Sequence, residues 1–157
     1  TYVVKPIIID PDRKQLLNNN LLMFFTGFTR FSSDVQKSNA IGYAEKTCQL
    51  HQMLSLVDDA KKILENKHSN LDDFGRLLDV TWRLKRETGG AITTGALGGK
   101  LLGAGGGGFL LFYVQADKKA AVKEAMKDLL YVPFAFEDGG TQVIHYSPER
   151  YEPKDEE

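Results

Sequence analysis

Blocks of apolar and polar residues along the chain predict a succession of strands and helices. LLMFFTG at 21–27 is a short, unbroken apolar run, which is typical of a strand buried on both faces. FLLFYV at 109–114 predicts a second strand. VVKPIIID at 3–10 predicts a further strand, and Pro6 favours a sheet edge for it. A short helix or turn is predicted at 11–19.

Helical periodicity dominates the stretch between the two apolar runs. Residues 35–67 predict one long helix or two, and Ser-Ser-Asp at 32–34 is a good N-cap signal. The stripe predicted to be buried on this helix comprises Leu50, Met53, Leu54, Val57 and Leu64. A second helix is expected after Asn70 or Asp72. Its apolar stripe comprises Leu71, Phe74, Leu77, Leu78 and Trp82.

The last third of the chain predicts one more helix and a hairpin. The helix is expected after Asp117, and its predicted buried face comprises Ala121, Val122, Ala125, Met126 and Leu129. Strands at 132–137 and 141–146 would flank the Asp-Gly-Gly turn at 138–140. This order of elements predicts an α+β layer, with helices on one face of a mostly antiparallel sheet. We predict a single domain over 1–152, followed by a polar tail at 153–157.

Composition excludes several classes of function. The chain has 157 residues, a formal net charge of −1 and 26% charged residues, so neither nucleic acid nor a membrane is an expected partner. The single cysteine, Cys48, indicates a reducing, cytoplasmic setting and is expected in the core. His51, His68 and His145 lack the spacing of metal ligands, so no zinc site is predicted.

A glycine-rich stretch, GALGGKLLGAGGGGFLLFYV at 95–114, carries the candidate chemistry. Gly103, Gly105 and Gly108 fit the pattern GxGxxG, but they precede a strand and not a helix, which disfavours a dinucleotide-binding fold. Leu101 after Lys100 disfavours a Walker loop. The glycines form either a tight connection into the strand or a loop whose bare backbone approaches a ligand. We favour the loop, because consecutive glycines weaken a fold without adding packing.

The glycine stretch resembles the third conserved motif of the GHMP kinases. FTGFTR at 25–30, TWRLKR at 81–86 and YVPFAF at 131–136 are similar to the branch that acts on D-glycero-D-manno-heptose 7-phosphate, with fucokinase nearby. The resemblance covers nearly the whole chain and implies the C-terminal domain of such a kinase, which is a ferredoxin-like α+β layer.

The resemblance implies an enzyme that transfers the γ-phosphoryl group of ATP to a hydroxyl of a sugar or sugar phosphate, with Mg²⁺. It implies no catalytic side chain or metal ligand in this chain, because an N-terminal kinase domain holds ATP and the metal. The residues expected to contact the acceptor or the ATP loop are Lys100, Gly103, Ala104, Gly105, Gly106, Gly107 and Gly108. Arg30 and Arg83 are candidate ligands for a substrate phosphate, with surface ion pairs as the alternative.

Two departures from the family pattern qualify this interpretation. The chain contains no Ser-rich phosphate loop of the PxxxGLGSS type, so it is expected to be inactive alone. The family has a further helix before the glycine motif, where this sequence has the short segment 91–95. The alternative is a non-enzymatic ferredoxin-like domain that binds a ligand or partner through its glycine loop.

Overall fold

A four-stranded antiparallel sheet organises the part of the chain that the structure describes. The structure is a computed structural model, and it describes residues 6–27, 47–85, 95–103, 108–140 and 145. In chain order the elements are α1 (Pro11–Asn20), β1 (Leu21–Phe25), α2 (Thr47–Glu65), α3 (Asp72–Lys85), β2 (Gly98–Leu101), β3 (Phe109–Tyr113), a 3-10 turn (Ala116–Lys118), α4 (Lys119–Ala125) and β4 (Leu130–Tyr131).

The strands are arranged in the order β2-β3-β1-β4, and every neighbouring pair is antiparallel. Strand β1 lies in the interior, with Leu21 opposite Tyr113 of β3 and Phe25 opposite Leu130 of β4. With α3 between β1 and β2, and α4 between β3 and β4, this is the β-α-β-β-α-β arrangement of a ferredoxin-like fold. The predicted α+β class is confirmed.

The core is divided between the two faces of the sheet, because side chains alternate along each strand. One cluster contains Leu22, Phe24, Phe112, Val114 and Val122 of α4. The other contains Leu17, Leu21, Leu71 and Tyr113, with Phe74 and Leu78 of α3 packed against it. Helices therefore cover both faces, and not one as expected, because β1 and β3 are apolar at every position and each face needs a cover.

Two strand predictions are corrected, and one strand was not predicted. Residues 3–5 of the strand predicted at 3–10 lie outside the described residues. Residues 6–10 do not form a strand, because the carboxylate of Asp10 accepts hydrogen bonds from the N–H groups of Asp12 (3.0 Å) and Arg13 (3.2 Å) and starts α1. Strand β2 was not predicted, since its first two residues are glycines. The fourth strand lies at Leu130–Tyr131, and 132–137 is irregular. Residues 141–144 and 146 of the predicted hairpin lie outside the described residues.

Within the predicted helical stretch at 35–67, α2 forms over Thr47–Glu65, but the packing of its apolar stripe differs from the prediction. Residues 35–46 and the predicted cap at 32–34 lie outside the described residues. Leu54 and Val57 are 66% and 61% exposed, and Leu50 is exposed as well. Cys48 is also exposed with respect to the described residues, and not in the core. The helix contacts α3, and Leu64 near its C-terminal end packs into the core. Periodicity thus predicted the helix correctly without identifying which of its turns the core would cover.

A buried polar network fixes the end of β3. Tyr113 is fully buried. Its hydroxyl accepts a hydrogen bond from the side-chain amide of Asn20 (3.0 Å) and donates one to Asp72 (3.0 Å). The amide of Gln115 donates to the other oxygen of Asp72 at 2.6 Å. The network ties the start of α3 to the strand that follows the glycine loop, and it satisfies polar groups that would otherwise be costly to bury.

This network predicts that the folded chain loses stability at alkaline pH. Burial, reinforced by the hydrogen bond to Asp72 and by its charge, raises the pKa of Tyr113 from 10.0 to about 12. An unfolded phenol ionises near pH 10, so the resulting stabilisation is complete below pH 10 and is lost as the pH rises through 12. The difference of about two units between the unfolded and folded pKa values corresponds to about 2–3 kcal/mol in the free energy of unfolding.

The measurement is urea unfolding of the chain and of Tyr113→Phe between pH 7 and pH 12. At pH 7 we expect the variant to be less stable by about 1–3 kcal/mol, because Asp72 and Asn20 lose a partner. Above pH 10 the gap between the two proteins should narrow. Parallel stability curves up to pH 12 would contradict the proposed linkage to Tyr113.

Candidate functional site

The glycine loop joins β2 to β3 at one end of the sheet. The N–H of Leu102 donates to the carbonyl of Phe109 at 2.8 Å and closes the base of this hairpin. Gly103 and Gly108 have φ angles of +77° and +98°. A Cβ added at either position would meet no described atom within 4 Å. Backbone conformation and not lack of space therefore requires glycine at both ends of the loop.

The end of β1 holds the other side of the loop. The N–H of Thr26 donates to the carbonyl of Gly108 at 2.8 Å. In return, the N–H of Gly108 donates to the hydroxyl of Thr26 at 3.0 Å. The structure therefore brings Thr26, within FTGFTR, directly to Gly108 of the glycine motif. Among the predicted loop residues, Ala104, Gly105, Gly106 and Gly107 lie outside the described residues.

The two glycines before Lys100 have a packing role. A Cβ on Gly98 would overlap the carbonyl oxygen of Gly75 in α3 and would lie 2.5 Å from the backbone nitrogen of Asp79. A Cβ on Gly99 would lie 2.5 Å from the ring of Phe112. Strand β2 can thus approach α3 closely because its side chains are absent. The GGK segment positions the loop by holding β2 against the helix.

Lys100 lies on β2, opposite Leu111, and is half-buried. It borders a small pocket where α3 meets the edge of the sheet. The pocket is lined by Asp79, Trp82, Ala96, Gly98, Gly99, Lys100, Leu110 and Phe112. Lys100, Asp79 and Trp82 thus line one depression. The predicted contact of Lys100 with phosphate remains a prediction.

The two arginine candidates differ in what the structure describes. Arg83 lies on the exposed surface of α3, and its guanidinium pairs with Asp79 one turn earlier at 2.6 Å. Its side chain is 71% exposed, so this pair is weak and leaves the guanidinium accessible to a second anion. Arg30 lies outside the described residues. Neither arginine is thereby tested as a phosphate ligand.

Among the described residues, no group of three or more His, Cys, Asp or Glu side chains is close enough to hold a metal ion. No helix in the described ranges combines the length and the hydropathy that a membrane span requires.

Thr26 is the residue of this region that the sequence did not single out. A threonine after an apolar strand is common, and its partner is 82 positions away along the chain. The available signal was its place in FTGFTR, next to Gly27, which has a φ of +78°. A polar residue that ends a buried strand beside a glycine could have been named as a candidate.

Comparison with curated proteins identifies a relative of known activity. A D-glycero-alpha-D-manno-heptose 7-phosphate kinase from Campylobacter jejuni is 31% identical over 166 aligned residues. The match covers 90% of this chain and 48% of the relative, so the chain spans about half of that protein's length. No family model matches the chain.

Solved structures share the fold. A D-glycero-D-manno-heptose 1-phosphate kinase from Bacteroides thetaiotaomicron superimposes with a TM-score of 0.60 at 22% identity, over 85% of this chain and 38% of that one. A mevalonate kinase from L. major, solved with R-mevalonate, gives a TM-score of 0.55 at 22% identity, over 69% of this chain and 37% of that one. At these identities the likeness establishes the fold. The chain is therefore a homologue of a heptose phosphate kinase, with the α+β fold of the C-terminal domains of GHMP sugar kinases.

Proposed function

We propose that this chain, as a GHMP kinase C-terminal domain over 1–152, forms part of an ATP-dependent kinase that phosphorylates a hydroxyl of a heptose-phosphate-like sugar. The observation that carries the proposal is the 31% identity to a heptose 7-phosphate kinase along 90% of the chain. That stretch includes the glycine motif, and the fold holds both ends of the loop in conformations suited to glycine. The reaction would take place in the cytoplasm.

The glycine loop fits the demands of phosphoryl transfer. The transferred group carries charge on three oxygens, so catalysis consists mainly of positioning and charge neutralisation. Successive backbone N–H groups in a glycine loop form a concave site for anions, and the absent side chains allow a second loop to approach. In this proposal the loop lies against the triphosphate and the acceptor. Lys100, Arg83 and Arg30 supply positive charge around it.

ATP and Mg²⁺ are assigned mainly to an N-terminal kinase domain. The 157 residues contain no Gly/Ser-rich phosphate loop of the family type. The role of this chain would be to complete a site between two domains, and to do no transfer by itself. Mg²⁺ would there neutralise the charge that develops on the phosphates.

The test compares the polypeptide encoded by the complete reading frame with this chain alone. ADP formation is followed with ATP, Mg²⁺ and a panel of acceptors, which includes D-glycero-D-manno-heptose 7-phosphate, fucose and mevalonate. We expect acceptor-dependent ADP formation by the complete polypeptide with the heptose phosphate, and none by this chain. Equal turnover of every acceptor, or turnover by the chain alone, would overturn the proposal as stated.

A further inference from the structure

Thr26 takes up both backbone polar groups of Gly108. Phe25 of β1 and Phe109 of β3 form the last pair of the ladder at this end of the sheet. Thr26 follows Phe25 and Gly108 precedes Phe109, so these two residues come next beyond the ladder. The N–H of Thr26 continues the ladder by donating to the Gly108 carbonyl (2.8 Å). The return bond departs from the ladder, because the N–H of Gly108 donates to the side-chain hydroxyl at 3.0 Å.

The conformation of Gly108 explains why a hydroxyl is needed. At a φ of +98°, the backbone of Gly108 leaves the extended conformation of β3. Its N–H donates to the side-chain hydroxyl of Thr26, which takes the place of the main-chain carbonyl that a regular ladder would offer. Valine has nearly the shape of threonine and has no acceptor, so it would leave this part-buried N–H without the bond.

Two further contacts stabilise the end of the β1–β3 pair next to Thr26 and Gly108. The rings of Phe25 and Phe109 pack with their centroids 5.2 Å apart. The carbonyl of Phe109 also accepts the bond from Leu102 that closes the hairpin (2.8 Å). The hydroxyl of Thr26 is therefore supported by a fixed strand end, and it sets the point where the loop enters β3.

We propose that Thr26 is a positioning residue for phosphoryl transfer, which acts by holding Gly108 and thereby the C-terminal end of the glycine loop. This inference rests on the proposed kinase function. Thr26 itself touches neither ATP nor acceptor in this proposal. Its effect is on geometry, and displacing a positioned group by about 1 Å can cost on the order of 100-fold in rate.

The test uses Thr26→Val and Thr26→Ser, with Thr81→Val as the matched control. Thr81 also loses a hydroxyl hydrogen bond when mutated, to the carbonyl of Leu77 (2.9 Å) within α3. The first readout is amide hydrogen exchange of the ¹⁵N-labelled chain. Thr26→Val should accelerate exchange at Gly108 by about tenfold or more, whereas the amide of Val114, bonded to the Asn20 carbonyl at 2.7 Å, should change much less. Thr26→Ser and Thr81→Val should leave Gly108 unchanged.

The second readout is steady-state kinetics of the same variants in the complete polypeptide. Thr26→Val should lower kcat about 10- to 100-fold with a smaller change in KM for ATP, and Thr26→Ser should restore most of it. Unchanged exchange at Gly108 would overturn the inference. Faster exchange with unaltered kcat would overturn it as well, since the loop would then be held without consequence for transfer. If the wild-type polypeptide transfers no phosphoryl group, the proposed function fails, and the positioning inference fails with it even if the exchange data verify the hydroxyl contact.

Discussion

Gly98→Ala is expected to cause a large loss of folding stability in the chain. The new methyl group would overlap the carbonyl oxygen of Gly75 and would lie 2.5 Å from the backbone nitrogen of Asp79. Both atoms belong to the backbone of α3, so no side-chain rotation relieves the overlap. Strand and helix must separate, and overpacking of this kind costs about 3 kcal/mol or more. For a domain that is stable by about 5–15 kcal/mol, that is a large loss.

Gly103→Ala provides the matched control for this prediction. Its φ of +77° disfavours alanine, but an added Cβ would contact no described atom within 4 Å. We therefore expect a cost of about 1–2 kcal/mol from conformation alone. Urea unfolding followed by circular dichroism measures both variants. Equal destabilisation by Gly98→Ala and Gly103→Ala would contradict the close approach of β2 to α3.

Gly106→Val in the complete polypeptide is expected to abolish most of the activity while leaving the fold intact. In the proposed site, valine would restrict the backbone of the loop and would place two methyl groups where another loop or the acceptor is proposed to approach. We expect kcat/KM to fall by about 100-fold or more, which corresponds to about 2.7 kcal/mol of transition-state stabilisation. The thermal midpoint should change little, because the substitution lies in the loop and outside the described core.

Gly140→Val is the control for the general cost of valine at a glycine. Gly140 has a φ of +63° and lies in an exposed segment far along the chain from the loop. We expect this variant to keep its activity and to lose some stability. Full turnover by Gly106→Val would refute the role assigned to the loop, and equal loss of activity in Gly140→Val would attribute the effect to folding.

The parts of the fold that the sequence predicted are those with a strong local signal. β1 and β3 are apolar at every position, so the strand character of both, and the burial of β1 on both faces, could be predicted. α1 was predicted as a short helix or turn, but its N-cap, Asp10, was assigned to a strand. The cap before α3 was predicted, and there the N–H of Asp72 donates to the side chain of Asn70. Long-range packing carries no such signal. Arg13, for example, donates to the carbonyls of Ile63 (2.6 Å) and Ser69 (3.0 Å), which are 50 and 56 positions away.

The glycines illustrate how one residue type serves two purposes. The loop was identified from the GAGGGG run at 103–108, and the positive φ angles of Gly103 and Gly108 at its two ends agree with that interpretation. Gly98 and Gly99 looked like part of the same turn, but they belong to β2 because α3 and Phe112 leave no room for side chains. Two successive glycines have a low propensity for strands. The packing of α3 against Gly98 explains why a strand forms here. Thr26 was missed because its partner, Gly108, is distant in sequence.

The most direct test of the kinase proposal is the transfer of label from [γ-³²P]ATP by the polypeptide of the complete reading frame. The acceptor is D-glycero-D-manno-heptose 7-phosphate, and the products are separated by thin-layer chromatography. The proposal predicts labelled sugar bisphosphate that depends on acceptor and Mg²⁺. Release of labelled inorganic phosphate alone, or no release of label with any sugar or sugar phosphate offered, would contradict it.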